Sequence, residues 1–181
     1  MPQFIEPDVG FRASFLAAIA EFEAKGLSES ATASWRDQWG EVWSTDAGFA
    51  KFAAALRADA LPQTPRADDW VPCTTLWWVE GDAYLGRLSI RHYLKGWLVE
   101  YGGHIGYDVR PSARRQGHAT AMLRAALPIA AQLGIDRVLV SCDEDNVASR
   151  RVIESNGGLP DGVRQGKLRF WIDLPTGRPR G

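Results

Sequence analysis

A chain of 181 residues has the length of one compact unit, and 45% hydrophobic with 24% charged residues is globular composition, which excludes disorder, collagen and a coiled coil. A formal net charge of −1 speaks against a dedicated nucleic-acid binder, which carries a surplus of Lys and Arg. That balance divides along the chain: residues 1–70 hold eleven Asp/Glu against six Lys/Arg, a net −5, and residues 71–181 hold eleven against fifteen, a net +4.

The first residues, MPQFIEPDVG, lack the basic start and apolar run of a signal peptide, and no stretch reaches the roughly 18 apolar residues of a membrane span. The expectation is a cytoplasmic protein with no membrane partner. Phe11, Phe15, Ile19 and Phe22 recur at helical spacing, with Gly26 as a stop. A second helix is predicted through Ser34 to Val42, and a third from Asp46, as N-cap, through Phe49, Phe52 and Leu56 to Ala60. Leu61 to Pro72, with three prolines, reads as a connecting loop.

From Thr74 the period changes to that of strands. Thr74 to Val79 is one strand, Gly81-Asp82 a turn, Ala83 to Tyr93 holds a second, and Tyr101 to Val109 is a third, stopped by Pro111. Ala119 to Leu133 has helical spacing with Pro128 as a point of kinking; Arg137 to Cys142 is a short buried strand; Asn146 to Ser155 is a short helix ended by Asn156-Gly157-Gly158. Val163 to Leu174 closes as a strand or hairpin around Gly166. The order is helices followed by β-β-β-α-β-α-β, an α/β (α+β) class with an N-terminal helical extension. Cys73 and Cys142 form no CxxC, and His92, His104 and His118 lack ligand spacing, so no metal is expected.

The stretch Val109-Arg110-Pro111-Ser112-Ala113-Arg114-Arg115-Gln116-Gly117-His118-Ala119-Thr120 carries the chemistry. A strand ends, a short basic loop follows and a helix begins, so the first helical N–H groups point into the loop. Those amides, the positive end of the helix dipole and two adjacent arginines make an anion site, and Gly117 with Ala119 lets a diphosphate reach the backbone. Neither GxxxxGK[ST] nor a strand-borne GxGxxG is present.

Arg114-x-x-Gly117-x-Ala119 after Val109-Arg110-Pro111 resembles the acyl-CoA signature of the GNAT superfamily of N-acetyltransferases. Downstream, Asn146-x-x-Ser149-x-x-x-Ile153-Glu154-x-x-Gly157 resembles that family's second motif. The likeness covers Thr74 to Leu174, and His104-Ile105-Gly106-Tyr107-Asp108-Val109 is closest in style to the branch that acetylates ribosomal-protein N-termini, with His where those relatives carry Glu. The resemblance implies a mixed sheet flanked by helices, its two central strands splayed around acetyl-CoA. The whole chain, 1–181, is then one acetyltransferase domain, with 1–70 as acceptor-side segment and 74–174 as cofactor core. Val109 would meet the pantetheine arm; Arg114, Arg115, Gln116, Gly117, His118, Ala119 and Thr120 would surround the pyrophosphate; Asn146 and Ser149 would border the arm, and Arg150 would reach an outer phosphate.

Direct acyl transfer needs a base for the acceptor ammonium, a donor for the oxyanion and a proton or dipole for the leaving thiolate. The resemblance implies an oxyanion donor on the backbone of the strand ending at Val109. His104 is the first candidate base, because an unperturbed imidazole titrates near ~6.5, and Glu100 is the reserve; packing of His104 beside the sheet is the alternative. Many relatives place an acid Tyr seven residues after the motif Asn, where this chain has Ile153. Ser141, Cys142 and Tyr107 stay open. Trp35, Trp39 and Trp43 at four-residue spacing share a predicted helix face. They are either core or an aromatic wall that attracts a cation together with Asp37, Glu41 and Asp46. The leading acceptor is a small cationic amine drawn to the acidic N-terminal part. A protein N-terminus or lysine, and a non-catalytic acyl-CoA-binding module, are the alternatives, and a homodimer is left open.

Overall fold

The computed structural model describes residues 1–26 and 31–175. In chain order they form β1 (Gln3–Ile5), α1 (Arg12–Ala24), α2 (Ala31–Trp39), α3 (Asp46–Ala58), β2 (Cys73–Glu80), β3 (Ala83–Arg91), β4 (Ile105–Val109), α4 (His118–Gln132), β5 (Arg137–Asp143), α5 (Val147–Glu154), β6 (Leu159–Arg164) and β7 (Lys167–Asp173). The seven strands make one sheet in the order β1-β2-β3-β4-β5-β7-β6. Every neighbouring pair is antiparallel except β4 and β5, which run parallel and register at one position, Ile105 opposite Val140.

Strand alternation sends apolar side chains to both faces. On one face Leu88, Ile90, Ile105, Val138, Val140, Phe170 and Ile172 pack beneath α4 and α5. On the other, Trp77, Val79 and Tyr84 meet α1 and α3 around the fully buried Phe15. The Phe15 ring lies between 5.1 and 6.5 Å from those of Trp35, Trp43, Phe49, Phe52, Trp77 and Tyr84. No described helix is long and apolar enough to cross a membrane.

Several elements differ from the sequence expectation. The second helix stops at Trp39, where Gly40 donates its N–H to Arg36 O and the chain passes into a 3₁₀ turn, Val42–Ser44, so Trp43 leaves the helix that carries Trp35 and Trp39. The third strand begins only at Ile105, because Leu98–Gly102 is a π turn closed by the Gly103 N–H on Leu98 O. Strand β1 was not foreseen: three residues are too few for a periodicity, and it exists because Phe4 packs edge-on against Trp78 at 4.8 Å. The third helix starts at Asp46, but Thr45 is its cap, accepting the Gly48 N–H. Helix α4 continues through Pro128.

Candidate active site

The parting of β4 from β5 builds the site. The β3 to β4 bonds Arg91 N–H to His104 O and Arg110 N–H to Leu85 O fix the pairing parity, so the N–H and C=O groups of Ile105, Tyr107 and Val109 point toward β5. Past Ile105 no β5 residue pairs with them, and a V-shaped gap opens with the backbone of Tyr107 and Val109 along one wall.

The closed end of the V is pinned by His104. Its backbone N–H donates to Leu139 O at 2.7 Å, and its Nδ1 accepts the Leu139 N–H at 2.9 Å. A neutral imidazole that accepts at Nδ1 carries its proton on Nε2, so no lone pair is left for an incoming proton. Burial, with the nearby Arg91 charge, drives its pKa down to about 4. The sequence expectation of His104 as general base is therefore replaced by a fastening role between the strands. Gly103 makes the approach possible: its φ is +68°, and a Cβ there would lie 2.6 Å from Leu139 O.

At the open end the chain turns through a 3₁₀ turn, Pro111–Ala113, and two left-handed residues, Arg115 at φ +63° and Gly117 at φ +83°. Gly117 caps α4 without a side chain, and the first bond into the helix is Ala121 N–H to Gly117 O. The amides of His118, Ala119 and Thr120 thus face the loop as an anion cradle. Arg114, Arg115, Gln116 and Gly117 are exposed beside it. Arg114 Nε donates to Val109 O at 3.1 Å, Gln116 Nε2 donates to Ser112 O, and the Trp78 indole N–H donates to His118 Nδ1 at 3.3 Å.

Across the gap, Asn146 caps α5 by accepting the Ser149 N–H. Ser149 Oγ lies 2.7 Å from the Tyr107 hydroxyl, which joins β4 to α5 where the sheet splits. Burial pushes the Tyr107 phenol up to about 12. Ile153 is fully buried in the core, and Arg150 is exposed and paired with Glu154 at 2.8 Å. Thr120 O accepts from Asn156 at the end of α5.

The opposite face of β4 carries a buried polar row. Arg87, 5% exposed, pairs with Asp108 at 3.2 Å, donates to Ser89 Oγ at 2.7 Å and lies 4.5 Å above the Trp35 ring. The aromatic wall expected to attract an acceptor cation is thus core on its inner side: Trp35, Trp39 and Trp43 all lean on Phe52, and the cation over Trp35 is the protein's own. Asp37 is exposed and lines a groove of about 510 Å³ between α1 and α2 with Glu23, Glu41 and Trp43, a groove that neither Trp35 nor Trp39 lines. Glu100, on the π turn, pairs with Arg164 of β6 at 2.9 Å, and its neighbour Tyr101 accepts the Ser141 hydroxyl on its carbonyl. No cluster of three His, Cys, Asp or Glu suited to a metal occurs among the described residues. Sequence reasoning missed the Arg87 and Asp108 pair, for which strand alternation was a signal, and Glu21, for which there was none.

The family model described as Acetyltransferase (GNAT) domain matches residues 16–158. No curated protein matches the chain. Among solved structures, the microcin self-immunity acetyltransferase MccE with acetyl-CoA and AMP superposes with a TM-score of 0.65 at 14% identity, covering 96% of this chain and 92% of that one. RimL, a ribosomal α-N-protein acetyltransferase bound to coenzyme A, gives 0.65 at 17% identity, over 96% and 94%. Mycobacterium smegmatis RimJ with a CoA-disulfide gives 0.63 at 17% identity, over 95% and 81%. At these identities the likeness is one of fold.

Proposed function

The chain belongs to the GNAT acetyltransferase family, and on that premise we propose that it transfers the acetyl group of acetyl-CoA to a primary amine of a small cationic acceptor by direct attack. The observation that carries this reading is the continuous path from the backbone of Tyr107 and Val109, which has no strand partner across the V, to the N-terminus of α4, which has no side-chain cap. The residues present fit acetyl-CoA. Tyr107 and Val109 hold the pantetheine amides; Arg114, Arg115, Gln116 and Gly117, with the amides of His118, Ala119 and Thr120, hold the pyrophosphate. Asn146 and Ser149 border the arm. Arg150 reaches a phosphate by releasing Glu154.

The bound donor supplies a thioester, whose carbonyl carbon takes the amine and whose sulfur leaves. A backbone N–H of β4 facing the V stabilises the developing oxyanion, in a gap where it has no strand partner to give up. The Tyr107 hydroxyl, in contact with Ser149 Oγ, holds a proton for the departing sulfur and fills the role that Ile153 cannot. Its phenol, raised to about 12, stays protonated at neutral pH. Glu100, next to the Tyr101 carbonyl that binds Ser141, receives the acceptor's proton directly or through water on releasing Arg164. The acidic N-terminal part favours a cationic acceptor, although the carboxylates of Glu21, Asp46 and Asp59 are already paired with Arg110, Arg12 and Arg66.

A second reading is transfer to the α-amino group of a protein. It is supported by the exposure of all of β6 beside the Glu100 and Arg164 pair, which gives a polypeptide room, and by the likeness to RimL. Thiol release from acetyl-CoA, assayed with polyamines, amino sugars and short N-terminal peptides, tests both. Turnover of small amines is the expected result; turnover of peptides alone moves the conclusion to the second reading, and no turnover with any amine overturns both.

A further inference from the structure

Glu21 lies in α1, in the part of the chain that sequence reasoning assigns wholly to the acceptor side. Its carboxylate nevertheless closes on the loop that carries the anion cradle. Oε1 accepts from Arg110 Nη2 at 2.7 Å, from Arg110 Nε at 2.8 Å and from Ser112 Oγ at 3.1 Å, and Oε2 accepts the Ser112 N–H at 2.9 Å. One helical position later, Phe22 is buried with the Arg114 guanidinium 5.7 Å from its ring centroid.

The loop needs such a strut. Residues 110–117 include a non-glycine residue held at φ +63° and a run of three arginines at 110, 114 and 115. Their mutual repulsion and the left-handed conformation both favour opening of the loop. Bonds within it are few: Ala113 N–H to Arg110 O, Arg114 N–H to Pro111 O, and Gln116 to Ser112 O. A carboxylate beside an anion site is itself repulsive to phosphate, but this one is consumed: Arg110 neutralises it, and it takes the Ser112 amide out of competition. Burial pushes the Glu21 carboxyl up, yet the hydrogen bonds from Arg110 and Ser112 outweigh it and hold it below the usual range. The carboxylate is therefore charged across the neutral range.

We propose that Glu21 is a positioning residue for the pyrophosphate site, holding Arg110 and Ser112 so that the loop presents Arg114, Arg115 and the α4 amides already arranged for the phosphates of acetyl-CoA. Helix α1 then belongs to the cofactor side as much as to the acceptor side. The inference rests on the acetyl-CoA reading given above. Ordering the loop in advance removes that cost from binding, so loss of the strut weakens ground-state affinity and leaves the chemical step alone.

The test compares acetyl-CoA with acetyl-pantetheine, which has the same thioester and arm but no pyrophosphate. For Glu21→Gln, the KM of acetyl-CoA is expected to rise about tenfold, as for loss of a charge-assisted contact. Its kcat and the acceptor KM stay within about twofold, and its kinetics with acetyl-pantetheine match the wild type. Glu21→Asp, which keeps the charge one methylene short, is expected to fall between the two, and it serves if Glu21→Gln folds poorly. An unchanged acetyl-CoA KM in both variants overturns the proposal, and so does an equal loss with acetyl-pantetheine, which marks a general structural defect. A wild type that does not distinguish the two donors overturns the pyrophosphate site itself, and this inference with it.

Discussion

The hydroxyl of Tyr107 meets Ser149 Oγ at 2.7 Å, one side chain from β4 and one from α5, across the point where the central sheet divides. Removing the hydroxyl while keeping the ring isolates its role. Tyr107→Phe is expected to lower kcat about 100- to 10,000-fold with little change in the acetyl-CoA KM, the range for loss of a general acid. With the phenol raised to about 12, no loss of rate from Tyr107 ionisation is expected below about pH 10. Steady-state kinetics of the variant check this; an unchanged kcat reduces Tyr107 to packing.

His104 gives a pH signature in stability rather than in rate. Its pKa of about 4 in the folded chain lies below the unfolded value of 6.5, so between those limits the unfolded chain binds more protons and stability falls as pH falls. The loss is roughly 3 kcal/mol when the window has been crossed. Denaturant titrations from pH 7 to 4 measure it. His104→Asn, whose amide oxygen can replace Nδ1 as acceptor of the Leu139 N–H, is expected to keep most activity and to flatten this slope. Loss of turnover in that variant with the fold intact restores His104 as the base.

Gly117 has nothing within 4 Å of where a Cβ would stand, so space does not require glycine there; φ +83° does. Gly117→Ala then costs roughly 1–2 kcal/mol in the left-handed conformation, or lets the start of α4 shift and the cradle open. The expected result is an acetyl-CoA KM raised about 5- to 30-fold with the acceptor KM unchanged. Isothermal titration with CoA gives the same comparison without turnover; equal affinity in variant and wild type removes the cradle from phosphate binding.

Phe15 centres the aromatic cluster under the N-terminal helices, fully buried among six rings. Phe15→Ala should destabilise the chain by about 3–5 kcal/mol, the sum of lost transfer energy and the cavity left behind. Asp37→Asn, exposed on the outer side of α2, should leave stability within about 0.5 kcal/mol and acceptor KM unchanged. A rise in acceptor KM in that second variant returns Asp37 to the acceptor site.

Local chemistry was legible in the sequence. The strand-loop-helix turn from Val109 to Thr120, the stop of the short helix at Asn156-Gly157-Gly158 and the helix-then-strand order are set within about ten residues, where spacing and backbone preference act directly. The family followed from two such segments in the right order. Where side chains meet across the fold was not legible. Glu21 stands 89 positions from Arg110, and whether it faces a solvated surface or the cradle loop depends on how α1 crosses the sheet. His104 looked like a base by residue type, and only the approach of Leu139 showed its lone pair spent. The tryptophan spacing read as one helix face until Gly40 ended the helix and Arg87 took the Trp35 ring. Periodicity and caps depend on neighbours along the chain, whereas a proton's place and a charge's partner depend on neighbours in space, which the packing of helices on the divided sheet decides.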